Sequence, residues 1–141
     1  MIPNFRAWHK NTKKMLRVIA INFDLNNITA DIETGKIYKD LDFWWKETEI
    51  PFSEIILLQS TGLKDKNGVE IYEGDICSTN LSRPYLVVVF RNGAYMYQCH
   101  DEGRDYFDIM LPTEVESGVD KYTEVIGNIY ENPERLEVDN E

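Results

Sequence analysis

The chain has 141 residues, 43% of them apolar and 12% aromatic, with a formal net charge of −10. That length points to one domain, or one small domain with an extension, and the apolar share excludes wholesale disorder. So acidic a chain repels phosphate backbones, which argues against general nucleic-acid binding.

The first element is a hairpin. Residues 3–9 read as a strand and residues 9–14 as a polar turn. Met15 to Phe23 forms a second strand rich in β-branched residues, which fit a pleated sheet better than a helix. Strict alternation puts Met15, Arg17, Ile19, Ile21 and Phe23 on one face and Leu16, Val18, Ala20 and Asn22 on the other. The hairpin is also where the positive charge sits. Arg6, Lys10, Lys13, Lys14 and Arg17 lie before Asp24 with no acid among them, while all 25 acids follow, against ten basic residues.

A turn at Asp24–Asn27 leads to a half-buried strand carrying Ile28, Ala30 and Ile32. Thr34-Gly35-Lys36 turns the chain again, and Ile37-Tyr38 starts another strand. Residues 39–53 hold Leu41, Phe43, Trp44 and Trp45, too many large apolar groups for a solvated loop, and Pro51 breaks any regular element there. Glu54–Leu58 reads as a strand on its β-branched Ile55 and Ile56.

Residues 61–76 contain Gly62, Gly68 and Gly74, and turn chemistry this dense marks where a chain reverses. Asn67-Gly68 fits a type I′ hairpin turn, in which both central residues take positive φ. Glu73-Gly74-Asp75 turns into a strand at Ile76. Tyr85–Arg91, apolar on both faces, suits a central strand. Asn92-Gly93 is a second hairpin signal, returning through Ala94–His100. Residues 101–120 are acidic and irregular. Tyr122–Tyr130 forms the last strand, with Val125, Gly127 and Ile129 on one side, and Asn132-Pro133 ends it. Short strands joined by tight turns, without a long helix, make this a mainly β chain of antiparallel strands, a barrel or sandwich. The expected division is an N-terminal β-hairpin extension over residues 1–53, a small barrel over residues 54–133 and an acidic tail over residues 134–141.

Chemical motifs are sparse. His9, Cys77, Cys99 and His100 are residue types that bind zinc, but they lack the C-x-x-C or H-x-x-x-H spacing that makes such a site persuasive. Asp65-Lys66-Asn67-Gly68 resembles the start of a calcium loop, yet the glycine comes two positions early and Ile76 stands where the closing glutamate belongs. Asp101, Glu102, Asp105 and Asp108 form an acidic cluster, a pattern that ordinarily marks a solvated face. The three glycines at 62, 68 and 74 do not fit a phosphate loop. The expectation is no enzyme, no cofactor and no metal. Trp8, Trp44, Trp45, Tyr95 and Tyr97 suit core packing or an interface better than base stacking, given the acidic balance. No signal-peptide pattern and no membrane-length apolar run is present, so two reduced thiols in a cytosolic chain are expected.

Three blocks together resemble the YopX family of phage and prophage proteins. They are Phe5-Arg6-Ala7-Trp8 with Lys13-Lys14-Met15; Thr61 to Gly68 with Glu70 to Ile76; and Val125 to Glu134. His9 departs from the Asp usual after the tryptophan, and residues 36–53 and 100–120 match no motif. The resemblance implies a mainly β protein whose second half is an SH3-type barrel and which self-associates; it carries over no catalytic residue. The expected function is therefore a non-enzymatic accessory protein acting through protein contacts, with itself or with a phage or host protein. Arg6, Trp8, Lys10, Lys13, Lys14, Arg17, Trp44 and Trp45 are the candidate contact residues. The alternatives are a nucleic-acid module using the basic hairpin, and an acidic DNA mimic that occupies a host protein.

Overall fold

A computed structural model describes residues 4–33, 45–79, 85–101, 103–110 and 122–136. The chain divides into two compact units. The N-terminal unit is Phe5–Leu58, and the C-terminal unit is Gln59–Glu141 together with Met1–Asn4.

The N-terminal unit is built on antiparallel strands β1 (Phe5–His9), β2 (Lys14–Asn22), β3 (Asn27–Glu33) and β4 (Trp45–Pro51), which lie side by side in the order β4-β3-β2-β1. A short 3-10 turn at Phe52–Glu54 leads into β5 (Ile55–Lys64), whose opening residues belong to this unit. One sheet face is the core. Ala7 lies opposite Leu16, Val18 opposite Ala30 and Ile28 opposite Ile50, so one apolar row continues across the strands. Ala7, Leu16, Ile28, Ala30, Ile50 and Ile55 are all buried there.

Two local features depart from the sequence expectation. The β2–β3 register shifts by one residue between Val18 and Ala20, so Ile19 is a bulge. A bulge reverses the side-chain alternation beyond it. Ile21 therefore joins Leu16 and Val18 against the core, instead of lying with Met15 and Arg17, and Ile19 is left 43% exposed. The second departure is β4, a regular strand where the aromatic and proline residues suggested irregularity. Pro51 is tolerated because β4 is the terminal strand of the sheet order. The strand expected at Ile37-Tyr38 lies outside the described residues.

The C-terminal unit holds the rest of β5, then β6 (Glu70–Tyr72), β7 (Asp75–Ser78), β8 (Leu86–Arg91), β9 (Ala94–Asp101), β10 (Arg104–Ile109) and β11 (Glu124–Asn128). Five of these form an antiparallel sheet in the order β10-β9-β8-β7-β11. Ile71, Cys77, Val88 and Met110 are its buried core, with Leu63, Tyr95, Tyr97 and Val125 packed against them. Asn92-Gly93 joins β8 to β9 with φ of 53° and 81°, the two left-handed residues that a type I′ turn demands.

The protein is thus mainly β and antiparallel, but the described strands do not close into a barrel. β10 and β11 stand at opposite ends of the sheet order. β10 is also a strand that the acidic composition of residues 101–120 concealed. Its exposed Arg104, Asp105 and Asp108 suit an edge, where charge discourages further strand pairing. In β11 the register shifts between Val125 and Gly127, which face Cys77 and Ile76 in turn. Val125 and Gly127 therefore lie on opposite faces rather than on one.

Candidate interaction surface

The β1–β2 hairpin carries the basic residues singled out in the sequence. Its loop is held from several sides. The Lys13 N–H donates to the His9 carbonyl at 2.8 Å, with Lys13 itself at a φ of 54°. His9 Nδ1 lies 2.7 Å from Thr12 Oγ1, and Nε2 lies 3.7 Å from Glu54. The Lys10 N–H donates to the Glu54 carbonyl at 3.0 Å, and its ammonium reaches the Ser53 carbonyl at 3.3 Å. Lys10 is thereby drawn toward the 3-10 turn, while Lys13 and Lys14 remain exposed.

The five cations do not form one patch. Lys14 pairs with His9 in register, on the face that Ala7 and Leu16 share, whereas Arg6, Trp8, Met15 and Arg17 fall on the outer face. On that outer face charge is divided across the strands. Arg6 stands opposite Arg17, Arg17 opposite Asp31, and Asp31 opposite Glu47. The Arg17 guanidinium lies 3.6 Å from Asp31 and is 83% exposed, so this ion pair contributes about 0–1 kcal/mol. Of the tryptophans, Trp8 is half-buried opposite Met15. Trp44 lies outside the described residues, and only the backbone of Trp45 is described.

The turn between β2 and β3 was expected at Asp24–Asn27, but the apolar residues it displays were overlooked. Phe23 is 75% exposed and Leu25 65% exposed, the most exposed large apolar side chains described. The turn that displays them is well ordered. The Asn22 side-chain oxygen accepts the N–H groups of Asp24 and Leu25, both at 3.0 Å. Asn26 is left-handed at a φ of 53°, and its carbonyl accepts the Phe52 N–H at 2.9 Å. The overlooked signal was apolar residues inside an Asp/Asn turn, where solvation alone favours polar side chains.

The residues considered for metal or acid–base chemistry are arranged otherwise. No cluster of three metal-ligating side chains occurs among the described residues. Burial, reinforced by the charges of Asp75 and Asp65, pushes the Cys77 thiol well up, the reverse of what a thiolate ligand needs. Asp105 and Asp108 fall on opposite faces of β10. The side chains of His100, Asp101 and Glu102 lie outside the described residues. Asp65, first in the calcium-like segment, is 3% exposed and gives its carboxylate to three backbone N–H groups, those of Asn67, Val69 and Val125, at 2.8–2.9 Å. Only Gly68 of the Asn67-Gly68 pair is left-handed. The loop is therefore shaped by the Asp65 side chain and not by a type I′ turn.

The family model described as YopX protein matches residues 4–137. The chain belongs to the YopX family. The chain is also similar to a solved structure, the crystal structure of protein EF1440 from Enterococcus faecalis. It is 30% identical, covers 97% of this chain and 99% of its own, and superimposes with a TM-score of 0.55. No curated protein matches the sequence.

The second and third blocks that mark this chain as YopX are joined in the structure. The Val125 N–H donates to Asp65, and the Ile129 N–H donates to the Gly74 carbonyl at 2.9 Å. A side chain at Gly74, where φ is 86°, would press on the Tyr130 ring at 3.1 Å. The Asn128 side chain accepts the N–H groups of Tyr130 and Glu131 and donates to the Glu131 carboxylate. These YopX motifs act as a folding frame, in which Asp65 and Asn128 direct their side-chain oxygens to backbone N–H groups.

Proposed function

We propose that this YopX protein is a non-enzymatic phage or prophage accessory protein that works in the bacterial cytoplasm through contacts with other proteins, copies of itself included. The observation that carries this reading is the pinned β1–β2 loop. The Glu54 carbonyl holds its backbone at Lys10, the Ser53 carbonyl holds the Lys10 ammonium, and Thr12 and Glu54 flank His9, so Lys13 and Lys14 stand exposed on an ordered scaffold. A preordered cationic loop suits an acidic protein surface, because little conformational freedom remains to be lost on docking. The family membership suggests the phage setting.

A tagged pull-down from host cells tests the reading. The wild type is expected to retain a specific phage or host protein, and Lys13→Glu with Lys14→Glu to lose it. Retention of nothing by the wild type, or the same capture by the double variant, refutes the role given to the loop.

The same two lysines favour a second reading, a nucleic-acid-associated module. In that case DNA or RNA is shifted at low salt, and affinity falls steeply as salt rises. Absence of any shift at low salt removes it.

A further inference from the structure

Phe23 and Leu25 form a rigid apolar tip with one carboxylate, Asp24, between them. Exposed apolar groups held on an ordered turn lose little conformational freedom on docking, which suits them to a contact site. Phe23 also meets the Phe52 ring edge-on, with centroids 6.0 Å apart, which fixes its direction while leaving it 75% exposed.

The C-terminal unit carries a surface of matching chemistry. On the sheet face opposite Val88, register places Val89, Met96 and Ile109 in one row across β8, β9 and β10, with Phe107 in the next. Ile109 is 60% exposed. The Arg91 guanidinium lies over the Phe107 ring, 3.9 Å from its centroid. Ile109 is the exposed apolar group of this face, with Val89, Met96 and Phe107 half-buried beside it, and Arg91 adds a cation, whereas the tip offers exposed apolar groups around an anion.

We infer that the β2–β3 tip of one copy docks on the β8–β10 face of a second copy, with Phe23 and Leu25 against Met96 and Ile109 and with Asp24 toward Arg91. The inference rests on the self-association part of the proposed function and gives it a specific geometry. Each copy has one donor tip and one acceptor face, so assembly closes as a reciprocal dimer or a ring, or grows as a filament.

Sedimentation velocity on the full chain at tens of micromolar tests this. The wild type is expected to self-associate into a dimer or a larger species. Phe23→Asp with Leu25→Asp, which removes the tip, and Ile109→Asp, which removes the face, are each expected to weaken assembly at least about tenfold. Mixed together, the two variants should form a one-to-one dimer and nothing larger, since one intact tip meets one intact face. All three substituted residues are exposed, and circular dichroism checks that both variants keep their fold. A second measurement does not depend on these aspartates. In a Cys99→Ala background, a Leu25→Cys chain should crosslink to an Ile109→Cys chain and not to itself.

A wild type that stays monomeric overturns the inference, as does a mixture that fails to pair or a wild-type oligomer indifferent to both variants. A monomeric wild type leaves lysine-dependent capture of another protein standing. Loss of that capture with the oligomer intact has the reverse meaning.

Discussion

The Asp65 carboxylate reaches a residue 60 positions further along the chain: its Oδ2 accepts the Val125 N–H at 2.9 Å. Its other oxygen accepts the N–H groups of Asn67 and Val69, so one buried side chain both shapes a loop and ties it to β11. The Lys66 N–H adds a bond to the Thr123 carbonyl at 2.9 Å. Asp65→Ala takes the acceptor from three N–H groups, that of half-buried Val125 and those of exposed Asn67 and Val69, and leaves a void where the buried carboxylate sat. The lost hydrogen bonds to a charged acceptor, together with the void, place the cost at about 3–5 kcal/mol. Urea unfolding should show the midpoint falling accordingly, and an unchanged midpoint would mean that water takes over these donors.

The Asp65 loop also shows where sequence reading reached its limit. Asn92-Gly93 was legible because both of its residues supply positive φ locally, without help from elsewhere. Asn67-Gly68 looks identical in sequence, but a carboxylate two residues earlier competes for the same N–H groups and wins. Ile19 and Ile126 were unreadable as bulges, since a bulge is set by the partner strand and not by its own residues. Edge strand β10 escaped notice because charges that protect an edge look, in one dimension, like a solvated loop. Of the candidate surface, the basic hairpin was legible from charge count, but its division between two faces was not. The Phe23–Leu25 tip needed the observation that Asn22 orders the turn.

Gly127 and Asn132 should be energetically coupled. A Cβ at Gly127 would lie 2.5 Å from Asn132 Oδ1, and that oxygen accepts the Asn128 N–H at 3.2 Å. Gly127→Ala is therefore expected to cost about 2–3 kcal/mol, by expelling the asparagine and breaking its bond. Asn132→Ala alone should cost about 1 kcal/mol. In the double variant the clash is largely gone, so the combined cost should fall short of the sum by about 1 kcal/mol or more. Strict additivity in a double-mutant cycle would show that the close approach is not what excludes a side chain at Gly127.

Glu70 and Glu73, three residues apart, should respond to acid with opposite signs. Burial pushes Glu70 up, but hydrogen bonds from Ser60, Tyr72 and Asn4, with the charge of Lys64, outweigh it and hold the carboxyl below its usual 4.5. Its ionised form thus favours the fold above that value, and the benefit fades as pH falls through the lowered folded-state value. Glu70→Gln should destabilise by about 1 kcal/mol at pH 7, a figure allowing for partial solvent screening, and by less as the pH drops below 4.5. Burial raises the Glu73 carboxyl instead. Its ionised form opposes folding above the raised value, and the penalty disappears on acidification. Glu73→Gln should therefore stabilise at pH 7, by no more than about 0.5 kcal/mol, and be neutral in acid. Thermal unfolding from pH 3 to 7 on both variants checks the two signs together, and parallel curves for them would contradict the assigned environments.

The two thiols should differ sharply in reactivity. Cys77 is 0% exposed in the core beside Val88, and burial with the charges of Asp75 and Asp65 holds it in the unreactive protonated form. Cys99 is half-buried on β9, opposite Tyr106, which is 46% exposed. A small aromatic disulfide reagent should therefore modify Cys99 in the native protein. Cys77 should react only through opening of the C-terminal unit, slower by at least about a thousandfold. Tyr97, also in this core, is pushed up to about 12 by burial despite its hydrogen bond to Thr123, so its phenol should ionise late in an alkaline titration. Denaturant below the unfolding midpoint should accelerate Cys77 labelling in step with the population of the opened state. Rapid modification of both thiols without denaturant would mean that the core around Ile71, Cys77 and Val88 opens far more readily than its packing implies.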